Sequence, residues 1–287
     1  MDTQDTKIVN YKRLVKSTYN RQAQLYKQYS DLQKTNLINL LKHAKEWNQT
    51  LIPGLLLDAG CGIPDASVTS ADIFKSKITE YVGLDLSLSM LLSKPESAGR
   101  LLVNADLEAI PFPDGTFAAA ISNTVLHWLN APEIGLTPVK AVTEIRRVLS
   151  VQGVFLLSVA GTGTATRFRQ AYQSVIENLP DDDFSDRSLI REDPIGCMTA
   201  DDVEDVLKQS GFQVHNVSLE YEPVAYERAE DYVSHVKAYG EDAYLAPFKD
   251  GSRDLVWKKI STKFLKNVGE DQYVHDQYMV YATATPC

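Results

Sequence analysis

The chain has 287 residues, 44% of them hydrophobic and 23% charged, with a formal net charge of −9. That is room for one large globular domain, or a domain carrying an insertion. The acidic balance argues against a nucleic-acid backbone as the main partner, because phosphate recognition needs a basic face. The basic pairs Arg146-Arg147 and Lys258-Lys259 read as solvated helix faces.

No apolar run approaches a membrane span. The polar start, MDTQDTK, lacks a signal-peptide core, so a cytoplasmic location is expected. Cys61, Cys197 and Cys287 stand far apart without CxxC spacing, which suggests neither a metal site nor a disulfide framework.

In chain order, residues 1–10 are polar and expected to fray. From Tyr11 to about Trp47, Leu25, Leu32, Leu37, Leu40, Leu41 and Ala44 recur near helical spacing. After a loop at Pro53-Gly54, Leu55-Leu56-Leu57 is the short apolar run of a buried parallel strand. Asp58-Ala59-Gly60-Cys61-Gly62 breaks it. Glycine reaches left-handed backbone angles and has no Cβ to hold a ligand away. Pro64 suits the first turn of a helix, expected over 65–75.

A second strand over 81–85 ends in Asp85, and Ser87 can cap a short helix over 88–93 that stops before Pro95. A third strand over 101–103 runs into Asn104-Ala105-Asp106. Pro111 to Gly115 is a turn, and 117–122 reads as a buried fourth strand. A short turn or helix carries Val125 to Leu129. Thr137-Pro138 opens a helix with the stripe Val139, Val142, Ile145, Val148, and 154–159 is a fifth strand. This alternation implies a mostly parallel sheet with helices on both faces. Three strand tips ending in a glycine loop, an acid and an acid suit a ligand with a ribose and an adenine.

The pieces LLLDAGCG, YVGLDLSLSML, NADLEAIPFPDGTF, AAISNTVLHWL and EIRRVLSVQGVFLLSV stand in order over residues 55–160. In this the chain resembles the class I S-adenosylmethionine-dependent methyltransferases. The segment STYNRQAQLY, from Ser17 to Tyr26, resembles the N-terminal segment of the malonyl-[acyl carrier protein] O-methyltransferases.

The resemblance implies a Rossmann-like α/β fold with a seven-stranded, mostly parallel sheet. It also implies an N-terminal helical lid over 1–48, a cofactor-binding core over 49–160, and a remainder over 161–287. That remainder completes the sheet and carries a helical acceptor-side cap, about 161–200 and 228–268. The cofactor implied is S-adenosylmethionine. By the same resemblance Gly60 and Gly62 let the backbone approach it, and Asp58 orients the loop or the ammonium. Asp85 takes the ribose hydroxyls and Leu86 packs on the adenine. Asp106 accepts from the adenine amino group beside Leu107, and Ser122 faces the amino-acid end. Many relatives have a third glycine where this chain has Pro64, and Asp65 departs from a dinucleotide fingerprint.

For the acceptor side the candidates are Tyr19, Tyr26, Asn123, His127 and Trp128. His127, and less directly Tyr19, are the candidate catalytic groups; His127 is either a general base or part of a wall. No metal is expected.

Beyond residue 160 the chain reads as a helix over 167–179, an acidic loop at Asp181-Asp182-Asp183, and a helix capped by Thr199 with Asp202. A strand over 212–224, helices over 228–268 and a strand over 277–285 follow. The expected function is methyl transfer to a small-molecule or carrier-linked acceptor, foremost a carboxylate oxygen, which is ionised at neutral pH and needs no base. The alternatives are a natural-product O- or N-methyltransferase and a non-catalytic cofactor binder of the same fold.

Overall fold

The computed structural model describes residues 3–29, 31–46, 51–64, 74, 77–93, 100–268 and 273–287. Two helices, α1 (Thr3–Tyr29) and α2 (Asp31–Glu46), precede β1 (Gly54–Ala59), β2 (Ile78–Asp85), α3 (Leu88–Leu91), β3 (Arg100–Asn104) and β4 (Phe117–Asn123). Then come α4 (Val139–Val148), β5 (Leu149–Ala160), α5 (Thr166–Ile176), α6 (Ala200–Gln209), β6 (Phe212–Tyr221) and β7 (Val224–Tyr226). The chain ends with α7 (Ala229–Leu245), α8 (Asp250–Val268), β8 (Tyr273–His275) and β9 (Tyr278–Pro286).

Seven strands form one sheet in the order β3-β2-β1-β4-β5-β9-β6. The β1–β2, β1–β4, β2–β3 and β4–β5 pairs are parallel, and β9 runs antiparallel to both β5 and β6. The chain builds outward from β1 to β3, then returns to lay β4 on the other side of β1. The crevice beyond that reversal is where open α/β sheets bind ligands.

Successive strand residues serve opposite faces. Leu57 joins Ile145, Val148 and Leu207 under α4 and α6, whereas Leu56 joins Leu40 and Ala44 of α2. Covering both faces is what makes the central strands read as unbroken apolar runs; Phe117 to Ser122 are all buried. A separate core joins α5, α7 and α8, centred on Phe168, Tyr232, Tyr244, Trp257 and Phe264.

Several elements differ from the sequence reading. The helical run 11–47 is two helices, and residues 3–10 belong to the first of them. They are held because Ile8 and Tyr11 pack on Ile134 and Leu136. The helix expected over 65–75 lies outside the described residues except for Phe74, and Pro95 lies outside them too. The single strand over 212–224 is β6 and β7, parted at Pro223, which offers no N–H to a ladder. The helical stretch 228–268 is two helices with Pro247 between them. α4 starts after Pro138, which takes the cap position itself without a side-chain bond. β8 is three residues long and pairs with β7 away from the main sheet.

The capping box on α6 forms as its spacing predicts: Thr199 accepts from the Asp202 N–H while Asp202 accepts from the Thr199 N–H. Thr199→Ala is expected to lower unfolding free energy by about 1 kcal/mol, read as a shift of the urea midpoint at unchanged slope.

Candidate active site

A cleft opens beyond the tips of β1, β2 and β4, bounded by α1. Gly60, Gly62, Asp85, Leu86, Asp106, Leu107, Asn123, Trp128, Tyr19 and Tyr26 all line it. Its empty space, open solvent at the mouth included, is about 730 Å³.

The glycine loop follows β1 because Gly60 and Gly62 both take left-handed backbone, at φ 81° and 55°. They differ in what surrounds them. A Cβ on Gly60 would lie 2.5 Å from Val125, so this glycine is also required by packing. A Cβ on Gly62 would meet only the tip of Met90 at 3.3 Å and the Tyr26 hydroxyl at 4.0 Å, both across the cleft. Gly62 therefore leaves an open cradle of the kind a cofactor tail needs.

Asp85 ends β2 with its carboxylate fixed twice. One oxygen accepts from the Gly62 N–H at 2.8 Å and the other from the Ser87 N–H at 2.7 Å. Burial pushes its pKa up, opposed by those two N–H bonds. Each oxygen keeps a lone pair for a further donor. Ser87, besides donating to Asp85, caps α3 by accepting from the Met90 N–H.

Asp106 stands across the cleft. It accepts from the Glu108 N–H at 3.0 Å and pairs with Lys12 of α1 at 2.7 Å. α1 is tied down again where the Ser87 hydroxyl donates to Asn20 at 2.7 Å. Lys12, Lys16 and Asn20 are contributions of α1 that sequence reasoning missed. Asn20 does lie inside the recognised N-terminal segment, but polar residues on an isolated helix carry no mark of the strand tips they will reach.

Two candidates stand elsewhere. Asp58 does not line the cleft; it accepts from the Tyr81 hydroxyl at 2.6 Å. Ser122 is fully buried with its hydroxyl unpartnered and lines neither this cleft nor the chamber beside it.

That second chamber has about 670 Å³ of empty space and shares Tyr19, Tyr26, Thr124 and Trp128 with the cleft. Its other walls include Leu32, Ile195, Val236 and Met279, with His127, His275, Tyr244 and Gln33 as polar members. No lysine or arginine lines it among the described residues. Tyr19 stands edge-on to both Tyr26 and Trp128, at 6.0 and 5.9 Å between ring centres. Burial raises the pKa of both tyrosines, so they are neutral phenols at pH 7. Thr124 sits between the two cavities at φ 57°, a strained position for a β-branched residue, with its N–H donating to the Ser158 carbonyl at 2.9 Å. Asn123 is engaged on both sides of its amide: it donates to the Gln33 carbonyl and accepts from the Ser158 hydroxyl.

His127 faces the chamber, not the cleft, and its Nδ1 is buried without a partner. Burial pulls its pKa down to about 4, and does the same to His275. Both rings are neutral at pH 7. Between the unfolded value of 6.5 and about 4 the folded state binds fewer protons than the unfolded one, so these groups remove stability as pH falls through that window. Thermal midpoints are expected to drop on acidification across it, and to drop less in His127→Gln and His275→Gln variants.

Among the described residues no cluster of side chains could hold a metal ion, and no helix is long and apolar enough to cross a membrane.

Residues 57–157 match the family profile described as a methyltransferase domain. A malonyl-[acyl-carrier protein] O-methyltransferase of Pseudescherichia vulneris is 31% identical over 169 residues, covering 58% of this chain and 62% of that protein. The alignment thus spans less than two thirds of that relative. The enzyme of the same name from Laribacter hongkongensis is 29% identical over 237 residues, 78% of this chain and 69% of that one. Among solved structures, loganic acid methyltransferase with S-adenosylhomocysteine superposes with a TM-score of 0.61 at 14% identity, covering 91% of this chain and 96% of that one. The YcgJ protein of Bacillus subtilis does so with a TM-score of 0.53 at 16% identity, covering 86% and 98%. Those likenesses speak for the fold. Residues 57–157 are thus similar to a methyltransferase domain, and they lie on a seven-stranded sheet whose fold is shared by solved methyltransferase structures.

Proposed function

We propose that this chain transfers a methyl group from S-adenosylmethionine to a carboxylate oxygen of a small or carrier-linked acid. The observation that carries the reading is the common wall: Tyr19, Tyr26, Thr124 and Trp128 separate a cleft suited to the cofactor from a chamber suited to an acceptor.

S-adenosylmethionine supplies a methyl sulfonium that is already an activated electrophile. What remains for the protein is to align an acceptor lone pair with it and keep water out. In this reading Gly62 leaves room for the cofactor's tail and Asp85 accepts from both ribose hydroxyls. Asp106 accepts from the adenine amino group, between Leu86 and Leu107. Asp58 acts from behind the loop through Tyr81, and Ser122 supports the end of β4. Tyr19, Tyr26 and Trp128 form the aromatic collar through which acceptor and methyl meet.

The chamber's lack of fixed cations fits a charge-neutralising transfer. A carboxylate beside a sulfonium is a pair of opposite charges in apolar surroundings. As the O–C bond forms and the C–S bond breaks, both charges vanish into an ester and a thioether, and no proton moves. Surroundings that solvate separated charges poorly favour that change. The names of the relatives, malonyl-[acyl-carrier protein] O-methyltransferases, point to the same acceptor chemistry and to a carrier-linked substrate.

A second reading is favoured by the unpartnered Nδ1 of His127: a hydroxyl acceptor whose proton His127 removes. The two readings part on measurement. For a carboxylate, kcat/KM is expected to be flat between about pH 6 and 8 because the acid is already ionised. His127→Gln then costs less than about tenfold. For a hydroxyl the profile over that range is flat too, since His127 is already neutral above about pH 4, but the same variant loses about 100-fold or more. Transfer of labelled methyl to malonyl-loaded acyl carrier protein, free dicarboxylic acids and phenols, with a test for base-labile ester, decides the acceptor. Methylation of phenols alone overturns the carboxylate reading. Tight cofactor binding with no transfer to any of them makes the chain a binder.

A further inference from the structure

On the outer side of the cap, α5 and α8 border a groove lined by Lys258, Lys259, Lys263 and Lys266 on α8, with Val175 and Leu179 from the α5 side and Leu255 at its end. The four ammonium groups fall within nine residues of a chain whose net charge is −9. No carboxylate lines the groove, and none of the four lysines is ion-paired among the described residues. Among the described residues, Glu177 and Asp254 are exposed and lie outside the lining. Leu255 is 52% exposed. The result is a small apolar floor rimmed by unpaired cations.

Their spacing has a simple cause. Val256, Trp257, Ile260 and Phe264 turn the other face of α8 into the cap core, so the lysines at 258, 259, 263 and 266 share the solvent side. An isolated lysine there would be unremarkable surface. Four together, unneutralised, build a positive field that attracts an acidic surface and speeds its encounter.

We propose that the α5–α8 groove is the docking surface for an acidic carrier protein that delivers the acceptor. This rests on the reading of the acceptor as carrier-linked. The carboxylates of the carrier would meet the four lysines, and an apolar side chain would settle on Val175, Leu179 and Leu255. The groove is well placed for delivery. Thr164 and Ala165, the two residues before α5, are both in the wall of the acceptor chamber. Ser174 in the groove is nine residues further along, about 14 Å at helical rise. The chamber wall and the groove thus lie towards opposite ends of the same helix. A nucleic acid is disfavoured: the groove has no aromatic ring on which a base could stack.

The test measures binding of malonyl-loaded acyl carrier protein to the full chain at low and moderate salt, for the wild type and for Lys258→Glu/Lys263→Glu. The double variant should bind at least tenfold more weakly, and raised salt should weaken the wild type towards the variant. KM for the loaded carrier should rise in step. Affinity for S-adenosylhomocysteine and methylation of a free acid should stay unchanged. Equal carrier binding by variant and wild type overturns the groove while leaving the carrier-linked acceptor standing. A wild type that neither binds nor methylates the loaded carrier, yet methylates a free acid, overturns the carrier reading and the groove with it. If the substitutions abolish binding to phosphatidylserine vesicles but leave carrier binding intact, the groove serves a membrane surface and the proposal fails.

Discussion

Replacing Asp85 by alanine is expected to weaken binding of S-adenosylhomocysteine by about 100-fold or more, since each hydrogen bond to a charged group contributes roughly 1.5–3 kcal/mol and a ribose offers two. Among the described lining residues the one other carboxylate, Asp106, stands across the cleft. Asp85 is the acid of the cleft whose two oxygens are held from below by the Gly62 and Ser87 N–H groups, so its remaining lone pairs are fixed in direction before any ligand arrives. Alanine removes that anchor and frees both the glycine loop and the start of α3.

Isothermal titration calorimetry reads the affinity, and an unchanged far-ultraviolet spectrum shows that the loss is local. The companion variant Asp106→Ala should lose less, about tenfold. Its side chain is more open and is already shared with Lys12 and the Glu108 N–H. Wild-type affinity in Asp85→Ala would remove the ribose from this place.

The largest effect on stability is expected at Phe168. It is wholly buried, and its ring meets those of Tyr244, Trp257 and Phe264 at 5.1, 5.5 and 5.5 Å between centres, with Tyr232 at 6.4 Å. One side chain thus joins α5 to α7 and α8. Phe168→Ala should cost about 3–5 kcal/mol, the transfer of the ring plus the cavity it leaves. Urea unfolding followed by tryptophan fluorescence reads it, since Trp257 lies in the same cluster. A loss below about 1 kcal/mol would mean that the cap collapses around the gap or does not unfold with the rest.

How much of this the sequence carried depends on how local each signal is. The sheet was legible because a strand buried on both faces needs an unbroken apolar run, and Leu55 to Leu57 and Phe117 to Ser122 supply one each. The glycine loop was legible because Gly60 and Gly62 are needed at left-handed angles that few other residues take. Asp85 and Asp106 were legible as acids at strand tips, and both line one cleft.

Asp58 reads the same way in one dimension, yet alternation along β1 sends it to the face shared with Tyr81. The acceptor chamber was not legible. His275, Ile195 and the α7 pair Val236 and Tyr244 come from three separate parts of the chain, and no spacing rule links those parts. Nor was the reach of α1: its helical period marks an apolar stripe but not that Lys12 pairs with Asp106.

The most direct test of the account is a crystal structure of the chain grown with S-adenosylhomocysteine. The adenosine is expected between Asp85 and Asp106, the amino-acid end against Gly62, and the sulfur turned towards the collar of Tyr19, Tyr26 and Trp128. Ligand density lying elsewhere, or adenosine held without either carboxylate, would contradict it.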